Sequence, residues 1–235
     1  YEDAFYNILN ETHKLYKNDN VCISGGCGMN SVENGKITLR TPFKNVYVQP
    51  AAGDAGGALG ASYYTWHSVL KKKERFEMKH AYFGNSYSND LIEKVINKEK
   101  SKLDKEKCKF KFYGNFEDLT EDVAKLISKG KIVGWFQDKM EWGPRALGNR
   151  SILADPRNPD MKNILNSKIK RRESFRPFAP SILKDQVAEW FEIDDDVPFM
   201  MKVFQVKQNK RSSIPAVTHV DGSGRLQTVY KDRNE

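Results

Sequence analysis

The feature that most constrains the fold is a short apolar strand followed by a glycine-rich turn, and it occurs twice near the start of the chain. Val21 to Ile23 leads into a turn at residues 24–28. Asn45 to Val48 is a second apolar run, and the glycine-rich residues 53–57 after it open a helix predicted to reach Val69. Strand, glycine turn and helix in this order predict an α/β fold.

A second α/β unit is predicted after a stretch rich in Lys and Glu. Residues 91–107 have the charge density of a solvated helix. The first unit would cover residues 1–75, a linker and connecting helix residues 76–117, and the second unit residues 118–235. The elements predicted for the second unit are a helix at 119–128 with Thr120 as N-cap, a strand at 131–136, helices at 160–168 and 184–191, and strands at 178–183, 198–206, 216–220 and 227–230.

Composition and cysteine usage predict a folded protein in a reducing, cytoplasmic compartment. Of the 235 residues 39% are apolar, and the formal net charge is +8. Cys22, Cys27 and Cys108 are odd in number and lack zinc-site spacing, which argues against a disulfide framework. No apolar run approaches the ~20 residues of a membrane span, so no membrane partner is expected. The chain opens with Tyr1 and is expected to be a piece of a longer protein.

A loop rich in glycine, proline and arginine is the strongest local signal, and it covers residues 140–157. Such a loop brings backbone N–H groups and guanidinium groups close to one anion. The alternative is structural, with the arginines of the loop paired to local carboxylates such as Glu141 and Asp155.

A second basic cluster lies at a predicted helix end, where residues 168–176 contain five cations in nine residues. Cations at a helix C-terminus complement its dipole, which explains some of them. The remaining density suits a polyphosphate or an acyl phosphate, because Arg binds phosphate by bidentate hydrogen bonds. Nucleic acid would use the same density, but the sequence has no aromatic stacking motif or zinc finger, so nucleic acid is not the expected partner.

A third polar run, residues 218–228, surrounds a tight glycine turn at a strand end. A turn alone explains Asp221 and Gly222. His219 stands alone, and a lone histidine is more often structural than catalytic. In the first unit, the turn at residues 24–30 matches neither the P-loop nor the dinucleotide fingerprint, and Asp54 is either an N-cap or a metal ligand.

Taken in order along the chain, these runs resemble the NodU/TobZ family of O-carbamoyltransferases. Residues 140–157, 168–183 and 218–229 look like signatures of the family's carboxy-terminal domain, and residues 24–30 and 49–61 look like the end of its amino-terminal domain. The resemblance implies part of an actin-like (ASKHA) ATPase domain followed by a YrdC-like twisted domain with a mixed sheet. It implies an enzyme that forms carbamoyl-adenylate from carbamoyl phosphate and ATP and passes the carbamoyl group to a hydroxyl of a sugar or natural product.

The resemblance also implies roles for individual residues. The catalytic residues would be Lys170, Arg172 and Arg176, and carbamoyl phosphate and ATP would be bound by Arg145, Arg150, Ser223, Arg225 and Gln227. In the amino-terminal domain, Gly25, Gly26 and Asn30 would bind nucleotide, and Asp54 would hold a divalent metal, iron or magnesium, in the full-length protein. A homodimer is compatible with these expectations.

Two departures from the family pattern bear on activity. None of the four histidines forms the family's His-x-x-x-His pattern, which is expected before Tyr1, and an Asn-Thr-Ser-type loop is expected after Glu235. The chain would then carry half of one site and most of another, and would be inactive alone. The alternatives are a HypF-like carbamoyl-transfer maturation factor and a YrdC-like nucleotide- or RNA-associated module without catalysis.

Overall fold

Two short parallel strands form the centre of the first unit, in agreement with the predicted α/β fold. The computed structural model describes residues 1–233, and in it Asn20 pairs with Asn45 and Ile23 with Val48. The elements of this unit are α1 (Glu2–Tyr16), β1 (Asn20–Ile23), α2 (Ser31–Arg40), β2 (Asn45–Val48) and α3 (Gly56–Tyr64), the last of which continues as a π-helix to Val69.

Local chemistry accounts for the ends of these helices. Glu2 and Asp3 lie in the first turn of α1, where negative charge stabilises the helix dipole, and Lys17 closes α1 in the left-handed conformation. The Asn30 side chain caps α2 by accepting a hydrogen bond from the Val32 N–H. The buried faces of the two helices meet in a core of Tyr6, Leu9, Ile37 and Phe43.

The second unit is also α/β. Helices α4 (Asn89–Lys98) and α5 (Lys100–Lys105) precede it in the chain. Its elements are α6 (Phe116–Ser128), β3 (Val133–Phe136), β4 (Arg150–Leu153), α7 (Met161–Ile164) with a π-helical continuation to Lys170, β5 (Ser181–Leu183), α8 (Val187–Trp190), β6 (Phe204–Gln205), β7 (Ser223–Gly224) and β8 (Gln227–Val229). Up to residue 233 these strands form three two-stranded sheets: β3 and β4 pair antiparallel, β5 and β8 parallel, and β6 and β7 antiparallel.

Some boundaries differ from the prediction for identifiable reasons. Helix α6 begins at Phe116 and not at Leu119, because the Asn115 side chain accepts from the Asp118 N–H and caps it there; Thr120 as N-cap is wrong. Residues 216–220, predicted as a strand, instead begin within a 3₁₀ turn, Pro215–Val217. Proline fixes the first position of that turn, and Ala216 and Val217 after it are buried without forming a strand.

The two predicted units share one core. Residues from the first unit, the connecting segment and the second unit form the cluster Val48, Ala52, Met78, Ala81, Leu147, Phe199, Met200 and Met201. Gly35 of α2 lies against the backbone of Val203, where an added Cβ would come within 2.0 Å of the carbonyl oxygen. The Val203 N–H also donates to the Ser31 carbonyl at 2.9 Å. The connecting segment therefore packs against both units over residues 78–81, while α4 and α5 bury none of their residues.

Within residues 1–233, none of the helices combines the length and the apolar character needed to cross a membrane.

Candidate active site

The arginine-rich loop is organised around Glu141, whose side chain is fully buried. One carboxylate oxygen accepts from the N–H groups of Leu147 (2.7 Å), Asn149 (2.8 Å) and Arg150 (3.2 Å), and the other accepts from the Arg150 Nε at 2.8 Å. Burial alone would raise the pKa of Glu141, but the hydrogen bonds from these N–H groups outweigh it and hold the pKa below its ordinary value. Glu141 thus fixes the course of the loop.

Two of the loop's arginines are structural, as the alternative interpretation of the sequence proposed. Arg150 forms the ion pair with Glu141, and its Nη2 donates to the Gly143 carbonyl at 2.9 Å. Arg157 forms a two-pronged pair with Asp155. The structure therefore places the guanidinium of Arg150, a predicted ligand-binding residue, in a pairing within its own loop.

Arg145 differs from its neighbours because no carboxylate pairs with it among residues 1–233. Its Nη2 donates to the Met29 carbonyl at 3.0 Å. This hydrogen bond joins the second unit to the glycine turn of the first unit. Its Nε is buried and has no protein partner. Burial lowers the pKa of Arg145. A buried guanidinium N–H without a partner is costly, so this side chain suits an anionic ligand.

Arg145 and Arg172 both lie close enough to Arg225 for their charges to act on it, and these three residues form the arginine cluster. Burial is the largest cause that lowers the pKa of Arg225, and together with the positive charges of Arg145 and Arg172 it brings the pKa to about 10. The Nε of Arg225, like that of Arg145, is buried without a protein partner. These three cations are partly buried, Arg225 is repelled by the other two, and two of their N–H groups are unsatisfied. A phosphate would stabilise such a site.

Arg172 is held in this cluster by Asn166, a fully buried residue at the start of the π-helical turn. The Arg172 Nε donates to the Asn166 side-chain oxygen at 2.7 Å, and the guanidinium lies 4.9 Å from the centre of the Phe178 ring. The Asn166 amide also donates to the Arg176 carbonyl at 2.9 Å, so one side chain shapes the whole basic loop.

The other two predicted catalytic residues lie at the surface. Arg176 is exposed and pairs with Glu173 at 2.9 Å. Lys170 is exposed at the end of the π-helical turn. Both belong to the loop that carries Arg172, but the structure leaves them outside the partly buried cluster of Arg145, Arg172 and Arg225.

The turn before Arg225 orders a chain of polar groups. The Ser223 hydroxyl donates to Asp221 at 2.6 Å, and the His219 Nδ1 lies 3.0 Å from the same hydroxyl oxygen. Gln227, a predicted substrate-binding residue, is buried and uses its amide internally: its Nε2 donates to the Leu147 carbonyl at 2.6 Å and its Oε1 accepts from Ser181 at 3.0 Å. In the structure Gln227 joins the arginine-rich loop to β8.

A second site lies in the first unit, where the two glycine-rich turns meet. The Gly25 N–H donates to the Ala52 carbonyl at 2.7 Å, and Gly25 and Asp54 line one cavity of about 700 Å³. Gly26 and Asn30, predicted with them, are not among the residues that line this cavity, and the Asn30 side-chain oxygen caps α2. Asp54 does not cap α3, so the N-cap interpretation of this residue is wrong.

An apolar, aromatic cavity of about 580 Å³ adjoins the glycine-turn cavity and shares Tyr63 and Phe76 with it. Trp66 and Trp142 also line the apolar cavity, and the Trp142 Nε1 is buried without a protein partner. Trp142 belongs to the arginine-rich loop, so this loop contributes to both the cationic cluster and the aromatic cavity.

The described residues alone do not provide the metal site that the family resemblance implies. Over residues 1–233 no group of three or more His, Cys, Asp or Glu side chains is placed to hold a metal ion. Asp54 offers a single carboxylate, and stable divalent sites need several ligands.

Three residues that organise the site are not predicted as functional positions from the sequence. The sequence indicates Glu141 only as a local partner for arginine, gives no signal for Asn166, and favours a structural role for His219. Their roles depend on contacts with atoms outside their own motifs or on burial, which local composition does not report.

Two family models match the chain in the order of its two units. The model described as Carbamoyltransferase N-terminus matches residues 2–63, and the model described as Carbamoyltransferase C-terminus matches residues 124–235. The chain belongs to the carbamoyltransferase family. The second match contains the arginine cluster, and the first contains the two glycine turns.

Curated relatives match the chain over nearly all of its length. The nodulation protein NolNO of Sinorhizobium fredii is 37% identical over 100% of this chain and 34% of its own length. The nodulation protein NolO of Bradyrhizobium diazoefficiens is 37% identical over 99% of the chain and 42% of its own length. An uncharacterized protein of Synechocystis sp. is 41% identical over 92% of the chain and 38% of its own length. The chain thus spans well under half the length of these relatives.

Proposed function

We propose that this carbamoyltransferase chain forms the phosphate-binding part of an ATP-dependent O-carbamoyltransferase. The observation that carries the proposal is the cluster of Arg145, Arg172 and Arg225, in which two buried Nε–H groups lack protein partners. Both substrates of the proposed first step, ATP and carbamoyl phosphate, carry phosphates. The cluster would hold them in reacting geometry and neutralise the charge that repels them.

The proposed chemistry has two steps. Carbamoyl phosphate, ATP and one water give carbamoyl-adenylate, pyrophosphate and phosphate. The hydroxyl of the acceptor then attacks the carbamoyl carbon, loses its proton, and displaces AMP. In the first step Arg145 and Arg225 would bind phosphoryl oxygens through their unpaired edges. The exposed Lys170 and Arg176 remain candidates for contacts with the same phosphates, and Ser223 would act through the turn that positions Arg225.

The second step is proposed to take place beside the glycine turns. The cavity lined by Gly25 and Asp54 would receive the nucleotide portion, and the adjoining aromatic cavity would receive the acceptor. A sugar or natural product suits that cavity, because flat aromatic faces pack against ring carbons while a few polar groups fix orientation. The buried Trp142 Nε1 is one such polar group. The Arg145 hydrogen bond to Met29 links the two sites.

The domain types, the compartment and the assembly of the protein are proposed on the same basis. The first unit would be part of an actin-like domain and the second most of a YrdC-like domain, working in the cytoplasm, with a homodimer as one assembly. A divalent metal would require ligands in addition to Asp54, so no step above is routed through a metal.

The test is calorimetric titration of the 235-residue chain with carbamoyl phosphate and with ATP at fixed salt. Arg225→Gln removes a cation of the cluster, and the matched control Arg157→Gln removes a cation that is already paired with Asp155. We expect Arg225→Gln to weaken binding by about tenfold or more, because a charge-assisted contact is lost, and Arg157→Gln to leave binding unchanged. Equal weakening by both variants, or no binding of either ligand by the folded wild type, would overturn the proposal. Binding of single-stranded RNA with steep salt dependence, in place of these ligands, would favour the RNA-associated alternative.

A further inference from the structure

The turn at residues 219–223 holds His219 close enough to Arg225, a member of the arginine cluster, for the charge of Arg225 to act on the imidazole. The Ser223 hydroxyl has one hydrogen, and its 2.6 Å contact with Asp221 commits that hydrogen to the carboxylate. The hydrogen bond from this hydroxyl lowers the pKa of Asp221, so Asp221 is ionised at neutral pH and acts only as an acceptor. The Ser223 oxygen must then accept from the His219 Nδ1, 3.0 Å away.

This arrangement determines the tautomer of His219. With the hydrogen on Nδ1, the Nε2 of the neutral ring carries a lone pair. Burial lowers the pKa of His219, and the charges of Arg225 and Lys162 lower it further, against the opposing effect of Asp221. The ring is therefore neutral at physiological pH. Its Nε2 is buried and has no protein partner.

A buried acceptor next to cations restricts the ligand. Arg225 and Arg145 present unsatisfied donors, which attract anionic oxygens, whereas the His219 lone pair repels them. A ligand that satisfies all three groups needs an anion and an uncharged N–H or O–H donor in one small molecule. Carbamoyl phosphate has this combination, because its amino group lies on the carbonyl carbon that bears the phosphate.

We propose that the His219 Nε2 accepts a hydrogen bond from the amino group of the carbamoyl donor and so selects carbamoyl phosphate over other acyl phosphates. The inference rests on the proposed function, because it assumes that the arginine cluster binds the phosphate of the same molecule. Ser223 and Asp221 are positioning residues in it, since they hold His219 in the tautomer that presents an acceptor.

Acetyl phosphate is the matched ligand for a test, because it replaces the amino group with a methyl group and keeps the carbonyl and the phosphate. The 235-residue chain is titrated with each compound by calorimetry. We expect wild type to bind carbamoyl phosphate about tenfold more tightly, since acetyl phosphate leaves the Nε2 unpaired. His219→Phe should bind both compounds equally, and His219→Gln, which retains an acceptor oxygen, should recover part of the preference.

A second measurement needs no variant. Protonation of His219 turns Nε2 into a donor, so the preference for carbamoyl phosphate should fall toward unity as pH drops through the His219 pKa, which lies below 6.5. The two ligands carry the same anionic group, so their affinity ratio cancels the general effect of pH on the arginine cluster. Equal binding of both acyl phosphates by wild type at neutral pH would refute the role of His219 and leave the phosphate site standing. Binding of neither would refute the proposed function and this inference together.

Discussion

Replacement of Glu141 by glutamine tests whether this buried carboxylate fixes the arginine-rich loop. Glutamine is nearly isosteric, and its oxygen can still accept from the backbone N–H groups of Leu147 and Asn149. Its NH₂ group, however, replaces the oxygen that accepts from Arg150, so two donors face each other in a partly buried position. The variant loses one charge-assisted hydrogen bond, and the Arg150 Nε is left without a partner. This should lower the free energy of unfolding by about 2–3 kcal/mol. For a chain of this length that corresponds to a melting temperature lower by roughly 5–10 °C.

The effect should depend on pH in one direction. Because the pKa of Glu141 in the folded chain is below its ordinary value of 4.5, the carboxylate contributes its full stabilisation above pH 4.5. That contribution is lost as pH falls through the lowered folded-state pKa. The difference between wild type and Glu141→Gln should therefore be constant at higher pH and shrink in acid.

Urea denaturation followed by tryptophan fluorescence measures both effects, from neutral pH to about pH 3. Glu173→Gln is the matched control: it is the same substitution in an ion pair whose two side chains are more than half exposed, and it should not change the midpoint measurably. A Glu141→Gln variant as stable as wild type at neutral pH would show that the buried carboxylate does not organise the loop. A difference that grows in acid would show that its folded-state pKa is raised and not lowered.

Two further substitutions test the packing and the electrostatics. Gly35→Ala should destabilise the chain by on the order of 3 kcal/mol in urea denaturation, because the new Cβ would meet the Val203 carbonyl. At Gly57 an added Cβ meets nothing within 4 Å, so Gly57→Ala should leave stability unchanged or slightly higher. Similar effects of the two substitutions would contradict the close approach of Gly35 to Val203. Arg225→Gln should stabilise the ligand-free chain by on the order of 1 kcal/mol and so raise its melting temperature. It removes a cation whose charge is disfavoured in the folded state by burial and by two other arginines. Inorganic phosphate should then stabilise wild type and not this variant, and a ligand-free Arg225→Gln chain that melts below wild type would contradict the repulsion.

What the sequence predicts well is local. The second strand matches its prediction at Asn45–Val48, because an apolar run between turn residues contains its own signal. The pairing of Arg150 with Glu141 and of Arg157 with Asp155 was open to prediction for the same reason, since each partner lies within nine residues.

What the sequence does not predict depends on distant parts of the chain or on individual hydrogen atoms. Arg145 reaches the Met29 carbonyl across 116 residues, and no spacing rule relates the two positions. A lone histidine such as His219 is interpreted as structural, and the unpaired lone pair on its buried Nε2 follows only from the direction of the hydrogen bond between Ser223 and Asp221. The family resemblance placed Arg145, Arg172 and Arg225 among the candidates, but burial and pairing separate them from Arg150.

The contact between Gly35 and the Val203 backbone constrains how relatives of this chain can be recombined. Glycine is the residue type at position 35 that allows the two backbones to lie this close, and the fit also depends on the path of the backbone at Val203. A chimera that takes its first unit from one relative and its second from another, joined within the exposed residues 89–105, would combine surfaces selected in different proteins. Such a chimera should fold only when the residues on both sides of the shared core come from the same relative. The two units therefore have to change together in evolution.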